Sequence, residues 1–246
     1  MKPPSGGSDQ AAFLTYAGIP SVDFRMKNAT TRDTYPLYHT LYETPFLNEH
    51  LYDSHGFAMH RATGQFWAEL ARSLSDSPVL PLNASRLADE IANTYVIDLK
   101  DELAKLSPSD QLFDAKNQVI LLEKTALKFV AVSSAFVEYQ RTVLHEIKAN
   151  PFNQNKLKGV NERLMMVEKC FVNPRGSPGA AHSRHVLFSI SDKNSYAAVT
   201  MAAVQDAMED FKTSSSPKAA GREVARQISI VYYSVNCAIN TLKHFI

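Results

Sequence analysis

Between Val119 and Ile147, apolar and small side chains recur at alternating steps of three and four: Val119, Leu122, Ala126, Phe129, Ser133, Phe136, Gln140, Val143 and Ile147. Only an α-helix brings such positions onto one face. The spacing predicts a single long helix over 115–147. Asn150-Pro151 ends it, because proline pushes the residue before it out of the helical region. A helix that long must bury its stripe against other helices, which sets the class of its surroundings. Three further stripes supply them. Leu87, Ile91, Tyr95, Leu99 and Leu103 follow Ser85, read as a helix cap. Leu157, Val160, Leu164, Val167 and Phe171 mark the next. Val224, Ile228, Val231, Val235, Ile239 and Leu242 follow Ser216-Pro217, a hydroxyl residue and then a proline of the kind that opens helices. Antiparallel packing of these four helices predicts an all-α bundle over 78–246. Ile230-Val231-Tyr232-Tyr233 carries apolar residues beyond one face of its helix. One stretch, 174–196, is broken by Gly176, Pro178 and Gly179 and reads as a long loop. Loops of that length inside a compact bundle are uncommon and often functional.

The segment Ser77-Pro78-Val79-Leu80-Pro81-Leu82 breaks helicity and divides the chain into 1–77 and 78–246. The first part is of another kind. Ser8-Asp9 reads as the cap of a short helix, Gln10 to Tyr16, closed by Gly18. Pro20-Ser21-Val22-Asp23-Phe24-Arg25 alternates apolar and polar residues like a strand. Thr44-Pro45 opens one helix, and Phe57 to Leu74 forms another with Met59, Phe66, Leu70 and Leu74 near helical spacing. A lone short strand makes no stable sheet. Residues 1–77 are therefore expected to be the α/β tail of a domain whose larger part lies outside this chain.

Charge excludes some partners. Lys and Arg number 26 and Asp and Glu 25, with no basic block, so nothing points to nucleic acid. No window reaches the roughly 18 apolar residues of a membrane helix, and the first residues lack the apolar core of a signal peptide. No membrane contact is expected from this chain itself. Cys170 and Cys237 form no CxxC pair; both fall on apolar helical positions and read as free buried thiols, with a disulfide between them left open. Asn28-Ala29-Thr30 and Asn83-Ala84-Ser85 are glycosylation sequons and weakly favour a secreted context.

The residues that bear chemistry cluster in one box, Tyr35-Pro36-Leu37-Tyr38-His39-Thr40-Leu41-Tyr42-Glu43-Thr44. Pro36 fixes its own φ and extends Tyr35, so Tyr38 and His39 are expected on a pre-set loop. A histidine held this way can be a metal ligand or a proton carrier; alone, it is more often structural. His50, His55 and His60 are spaced by five and share no ligand face with one another.

The box resembles the segment that holds the last zinc ligand in the glutamate carboxypeptidase II family, which includes the N-acetylated-alpha-linked acidic dipeptidases and the non-enzymatic transferrin receptor. The likeness continues in order through Gly7-Ser8-Asp9, Gly18-Ile19, Leu164-Met165-Met166-Val167-Glu168-Lys169, Arg184-His185-Val186, Asn194-Ser195-Tyr196 and Arg226-Gln227-Ile228. It implies the tail of a two-zinc exopeptidase domain followed by a helical, transferrin receptor-like dimerisation domain. By that resemblance His39 is a zinc ligand, and Tyr38 and Tyr196 touch the free carboxylate of a small peptide substrate. Gly7 and Ser8 line the substrate, with Ser8 where the family has asparagine, and Arg25 belongs to a patch that binds acidic side chains. Asp23 stands in place of a second arginine of that patch, and Ser195 in place of a lysine that grips a C-terminal glutamate. Both changes imply a relaxed side-chain preference. Arg184-His185 is expected to hold the long loop against the catalytic domain without a part in catalysis. The resemblance further implies a homodimer, two zinc ions, the extracellular face of the plasma membrane or the secretory pathway, and a carboxypeptidase or dipeptidase reaction. The other zinc ligands, the general-base glutamate and the membrane anchor are expected upstream, so no catalytic residue is assigned within the chain. The alternatives are a non-enzymatic dimerising receptor-like homologue or an inactive fragment.

Overall fold

A computed structural model describes residues 7–24, 36–150, 154–191, 193 and 199–243 of the 246. Contacts divide the chain into two compact units, one of Met1–Val22 with Leu82–Ile246, the other of Asp23–Pro81.

In the larger unit the long stripe forms α5, Phe113–Ala149, which buries Ala115, Val119, Leu122, Ala126, Phe129, Ser133, Phe136, Val143 and Ile147. Of the predicted stripe only Gln140 is half-buried, and its amide donates to the Leu82 carbonyl at 3.3 Å. The chief partner of α5 is α8, Pro217–Leu242, which begins after Ser216 with proline at its first position. It buries all six predicted residues, from Val224 to Leu242. The approach is close at Gly221, where a Cβ would overlap the backbone carbonyl oxygen of Gln111. Against this pair pack α3 (Ala84–Glu90), which runs through one π-helical turn into α4 (Val96–Ala104), and α6 (Gln154–Lys169).

Three sequence expectations need correction here. The bundle has a further helix, α7 (Ala202–Thr213), which buries Ala202, Val204, Ala207, Met208 and Phe211 against α8. Its apolar positions do recur at three and four, but two of them are alanines, so the stripe is faint. The cap of α3 is Asn83, whose side chain accepts from the Ser85 backbone N–H, and not Ser85 itself. Cys170 and Cys237 are not free buried thiols: they are joined in a disulfide that ties the end of α6 to α8, with Cys237 exposed. Periodicity marks helical faces, but which two thiols meet depends on how the helices pack.

The opening residues belong to this unit. Residues 10–16 are helical, with a π-type turn over Ala12–Tyr16. The Ser8 carbonyl accepts from Ala11 N–H at 3.1 Å, at the start of this helix. Gly18 ends the turn at φ 58°, a conformation that favours glycine.

In the smaller unit Thr44-Pro45 opens α1 (Pro45–Leu47), which runs into a π-helical turn, Asn48–Tyr52. After it comes α2, Ala58–Asp76, in which no residue is buried. Met59, Phe66 and Trp67 are all more than half exposed. The predicted helix is present, but none of its apolar stripe is buried. The predicted strand is not formed over its described residues: 20–24 are irregular, and Phe24 sets its ring edge-on to Phe66 at 5.0 Å and Trp67 at 6.1 Å. A strand needs a ladder partner, and among the described residues the only extended pairings are isolated bridges, Val172 with His185 and Ser177 with Ala180. The described part of 1–77 is helix, turn and irregular chain. Among the described residues no helix is long and apolar enough to cross a membrane.

Candidate functional site

The tyrosine-histidine box forms a succession of turns over 36–42. Thr40 ties it together: its backbone N–H and its hydroxyl both donate to the Leu37 carbonyl, at 3.1 and 2.7 Å. Tyr42 N–H in turn donates to the Thr40 hydroxyl at 3.2 Å. Within this frame His39 takes φ 60°, the left-handed region that a side chain other than glycine's seldom occupies. Its backbone N–H donates to the Glu43 carboxylate at 2.9 Å, which fixes that conformation. The imidazole stacks on Tyr38 at 3.8 Å with the planes 20° apart. Among the described residues its ring nitrogens have no hydrogen-bond partner. Backbone strain at an exposed, otherwise unengaged histidine is the kind of feature that collects at functional sites.

The loop presents more than one histidine. Tyr38 is 52% exposed, Leu41 98% and Tyr42 71%, so the box is an uncovered aromatic surface. The other histidines of this unit are differently engaged. His50 lies against Phe46 at 4.4 Å. His60 Nδ1 meets the buried Asp53 carboxylate at 2.8 Å, and that carboxylate also accepts the backbone N–H groups of His60 and Met59 at the start of α2. Burial alone would push the Asp53 carboxyl up, but the bonds from His60 and Met59 hold it below its ordinary value. This cap went unnoticed in the sequence because Asp53 sits seven residues before His60, too far apart for a capping pattern.

Of the other predicted site residues, Gly7 and Ser8 are exposed at the start of the larger unit, and Asp23 is exposed in the smaller one. Arg25, Tyr196 and Ser195 lie outside the described residues, as does the Asn28 sequon. The structure thus brings Tyr38 and His39 together. A zinc site needs three or four protein donors. Among the described residues no group of three or more His, Cys, Asp or Glu side chains could hold a metal ion, so these residues alone do not fit a two-zinc centre.

The second constellation lies in the larger unit, at the root of the long loop. His185 is fully buried. Its Nδ1 accepts from the backbone N–H of Leu187 at 3.2 Å and of Phe188 at 3.1 Å, so the ring proton sits on Nε2, which donates to Glu168 at 2.9 Å. The ring is stacked between Phe171 and Phe188. The N–H groups of Arg184 and His185 both donate to the Thr15 carbonyl, and the Arg184 guanidinium lies 3.9 Å over the Tyr16 ring. Arg184-His185 therefore fastens the loop to the opening helix. With both ring nitrogens engaged and no exposure, His185 organises structure and has no free position for a substrate.

The transferrin receptor-like dimerisation domain family matches residues 112–243, more than half of the chain, and the chain belongs to it. It corresponds to the C-terminal portion of proteins of the glutamate carboxypeptidase II family. Along its whole length it is 44% identical to a glutamate carboxypeptidase 2 homolog of Caenorhabditis briggsae and to one of Caenorhabditis elegans, covering 32% of each. It is 30% identical to aminopeptidase NAALADL1 of Mus musculus, over 96% of this chain and 30% of that protein. The chain thus spans about a third of the length of these relatives, all of them named as peptidases.

Proposed function

We propose that this chain is the C-terminal part of a zinc-dependent metallo-exopeptidase, of carboxypeptidase or dipeptidase type, that removes C-terminal residues from small peptides. Residues 1–77 close the peptidase domain and 78–246 form the dimerisation domain, through which two copies pair. The protein acts at the extracellular face of the plasma membrane or within the secretory pathway. The observation that carries this reading is His39, held at φ 60° by Glu43, stacked on Tyr38 and with ring nitrogens that have no hydrogen-bond partner among the described residues. In this reading His39 supplies one ligand to a zinc centre completed, together with its general base, by residues outside the chain. Bound zinc polarises a carbonyl and activates water. No chemical step is assigned to the residues described here. Their work is placement: Tyr38 and Tyr196 hold the free carboxylate of the peptide, Gly7 and Ser8 line it, and Arg25 receives an acidic side chain.

The test is kinetic and uses the complete protein. Tyr38→Phe is expected to raise KM for small peptides more than it lowers kcat, the signature of lost binding. His39→Ala is expected to lower kcat/KM by at least about 100-fold, the scale on which catalytic-site groups act. Unchanged kcat/KM in His39→Ala would overturn the assignment. A second reading, a non-enzymatic dimerising homologue, is favoured by the dimerisation-domain match. It predicts a stable dimer with no peptide hydrolysis at all.

A further inference from the structure

We propose that Asn83 carries an N-linked oligosaccharide. A sequon by itself is weak grounds, since the tripeptide arises by chance, but this one sits in a geometry that suits the modified residue. Asn83 is exposed, with extended backbone at φ −122° and ψ 96°, at the point where the irregular chain ends and α3 begins. Its side chain has a structural task, and that task uses the oxygen alone. Oδ1 accepts from the Ser85 backbone N–H at 3.0 Å and from the Ser85 hydroxyl at 2.7 Å. Nδ2 has no partner among the described residues. A glycan bonded to Nδ2 leaves the cap of α3 intact and displaces nothing.

The second, independent observation is the disulfide between Cys170 and Cys237. Disulfides form and persist in the oxidising compartments through which secreted chains pass, and N-glycans are attached in the same setting. A chain that closes this bond there has met the machinery that reads Asn83-Ala84-Ser85. In the transfer, a lipid diphosphate-linked oligosaccharide is the glycosyl donor. The bond from its anomeric carbon to the phosphate oxygen breaks, and a bond from that carbon to Nδ2 forms. One Nδ2 proton leaves, and so does the lipid diphosphate. The glycan does not depend on peptidase activity, since an inactive chain on the same route would carry it equally.

The experiment uses the complete protein made in animal cells. The peptide holding residue 83 is read by mass spectrometry before and after peptide-N-glycosidase, and the state of Cys170 and Cys237 is read in the same sample. The expected result is a sugar-bearing peptide that returns as aspartate at position 83 after enzyme treatment. Asn83→Asp keeps an oxygen for the cap and removes Nδ2, so it should fold and lose one glycan. Ser85→Ala keeps the backbone donor and should lose the same glycan, while Ser85→Thr should retain it. If Asn83→Asp fails to fold, Ser85→Ala decides. An unmodified Asn83 overturns the proposal, whether the cysteines are bonded or reduced.

Discussion

Replacing His185 with phenylalanine separates two ways in which a buried ring can stabilise a loop. Phenylalanine keeps the volume and the stack between Phe171 and Phe188 but removes both ring nitrogens. Two backbone donors, Leu187 N–H and Phe188 N–H, then lose their acceptor, and the Glu168 carboxylate loses its donor. A buried donor left unsatisfied costs about 1–3 kcal/mol. Glu168 keeps 14% exposure and can recover part of its loss from water. The two donors together put His185→Phe at about 2–6 kcal/mol of unfolding free energy, a large part of a domain's stability. For a chain of this size that corresponds to roughly 4–24 °C in melting temperature. The assay is denaturant unfolding of wild type, His185→Phe and His185→Ala, with amide exchange at Leu187 and Phe188. His185→Ala should cost about as much as the phenylalanine variant or somewhat more, since water entering a polar cavity offsets part of the lost packing. Should His185→Phe fall within about 0.5 kcal/mol of wild type, the usual scale of an inconsequential substitution, the ring acts by packing alone and the polar account is wrong.

Four further outcomes follow from the same structure. Gly221→Ala should destabilise the bundle by about 1–2 kcal/mol in thermal unfolding, because the added methyl meets the Gln111 carbonyl and the gain in helix propensity offsets only part of that. Breaking the Cys170–Cys237 bond by serine substitution releases a 67-residue span and should cost up to about 4 kcal/mol in denaturant unfolding, on loop entropy alone. Asp53 has a folded carboxyl value held below its ordinary one, so its contribution is present above the ordinary value and lost as pH falls through the folded one. Asp53→Asn should therefore flatten the acid dependence of the smaller unit, read by fluorescence of Trp67, the chain's one tryptophan. In the complete protein, Asp23 and Ser195 should leave neutral dipeptides cleaved at least as well as acidic ones; a strong acidic preference argues against this use of those two positions.

How much was legible depended on the range of each interaction. The stripe on α5 and the six residues of α8 could be read because a helical face is set by residues three and four apart. The caps were harder: Asn83 and Ser85 are both capping residue types, and only geometry shows whose oxygen accepts. The disulfide, the Asp53 cap and the two N–H groups at His185 Nδ1 depend on segments meeting in space, which periodicity does not encode. In α2 the helix was legible but not the fate of its apolar face, because a stripe shows that a face wants covering and not what covers it. At the site, His39 was picked out by its residue type and by the box around it. Its left-handed backbone and the Glu43 bond that holds it were not foreseeable, since neither residue demands that conformation.

The role proposed for His39 is a contribution to a zinc centre in the complete protein. Its most direct measurement is metal content, by elemental mass spectrometry, of purified wild type and His39→Ala after dialysis against trace zinc, with dimer content and melting temperature as controls. The expected result is zinc bound to the wild type and clearly less retained by the variant, which remains a folded dimer. Equal zinc in the two proteins, or none in a wild type that hydrolyses peptides, contradicts it.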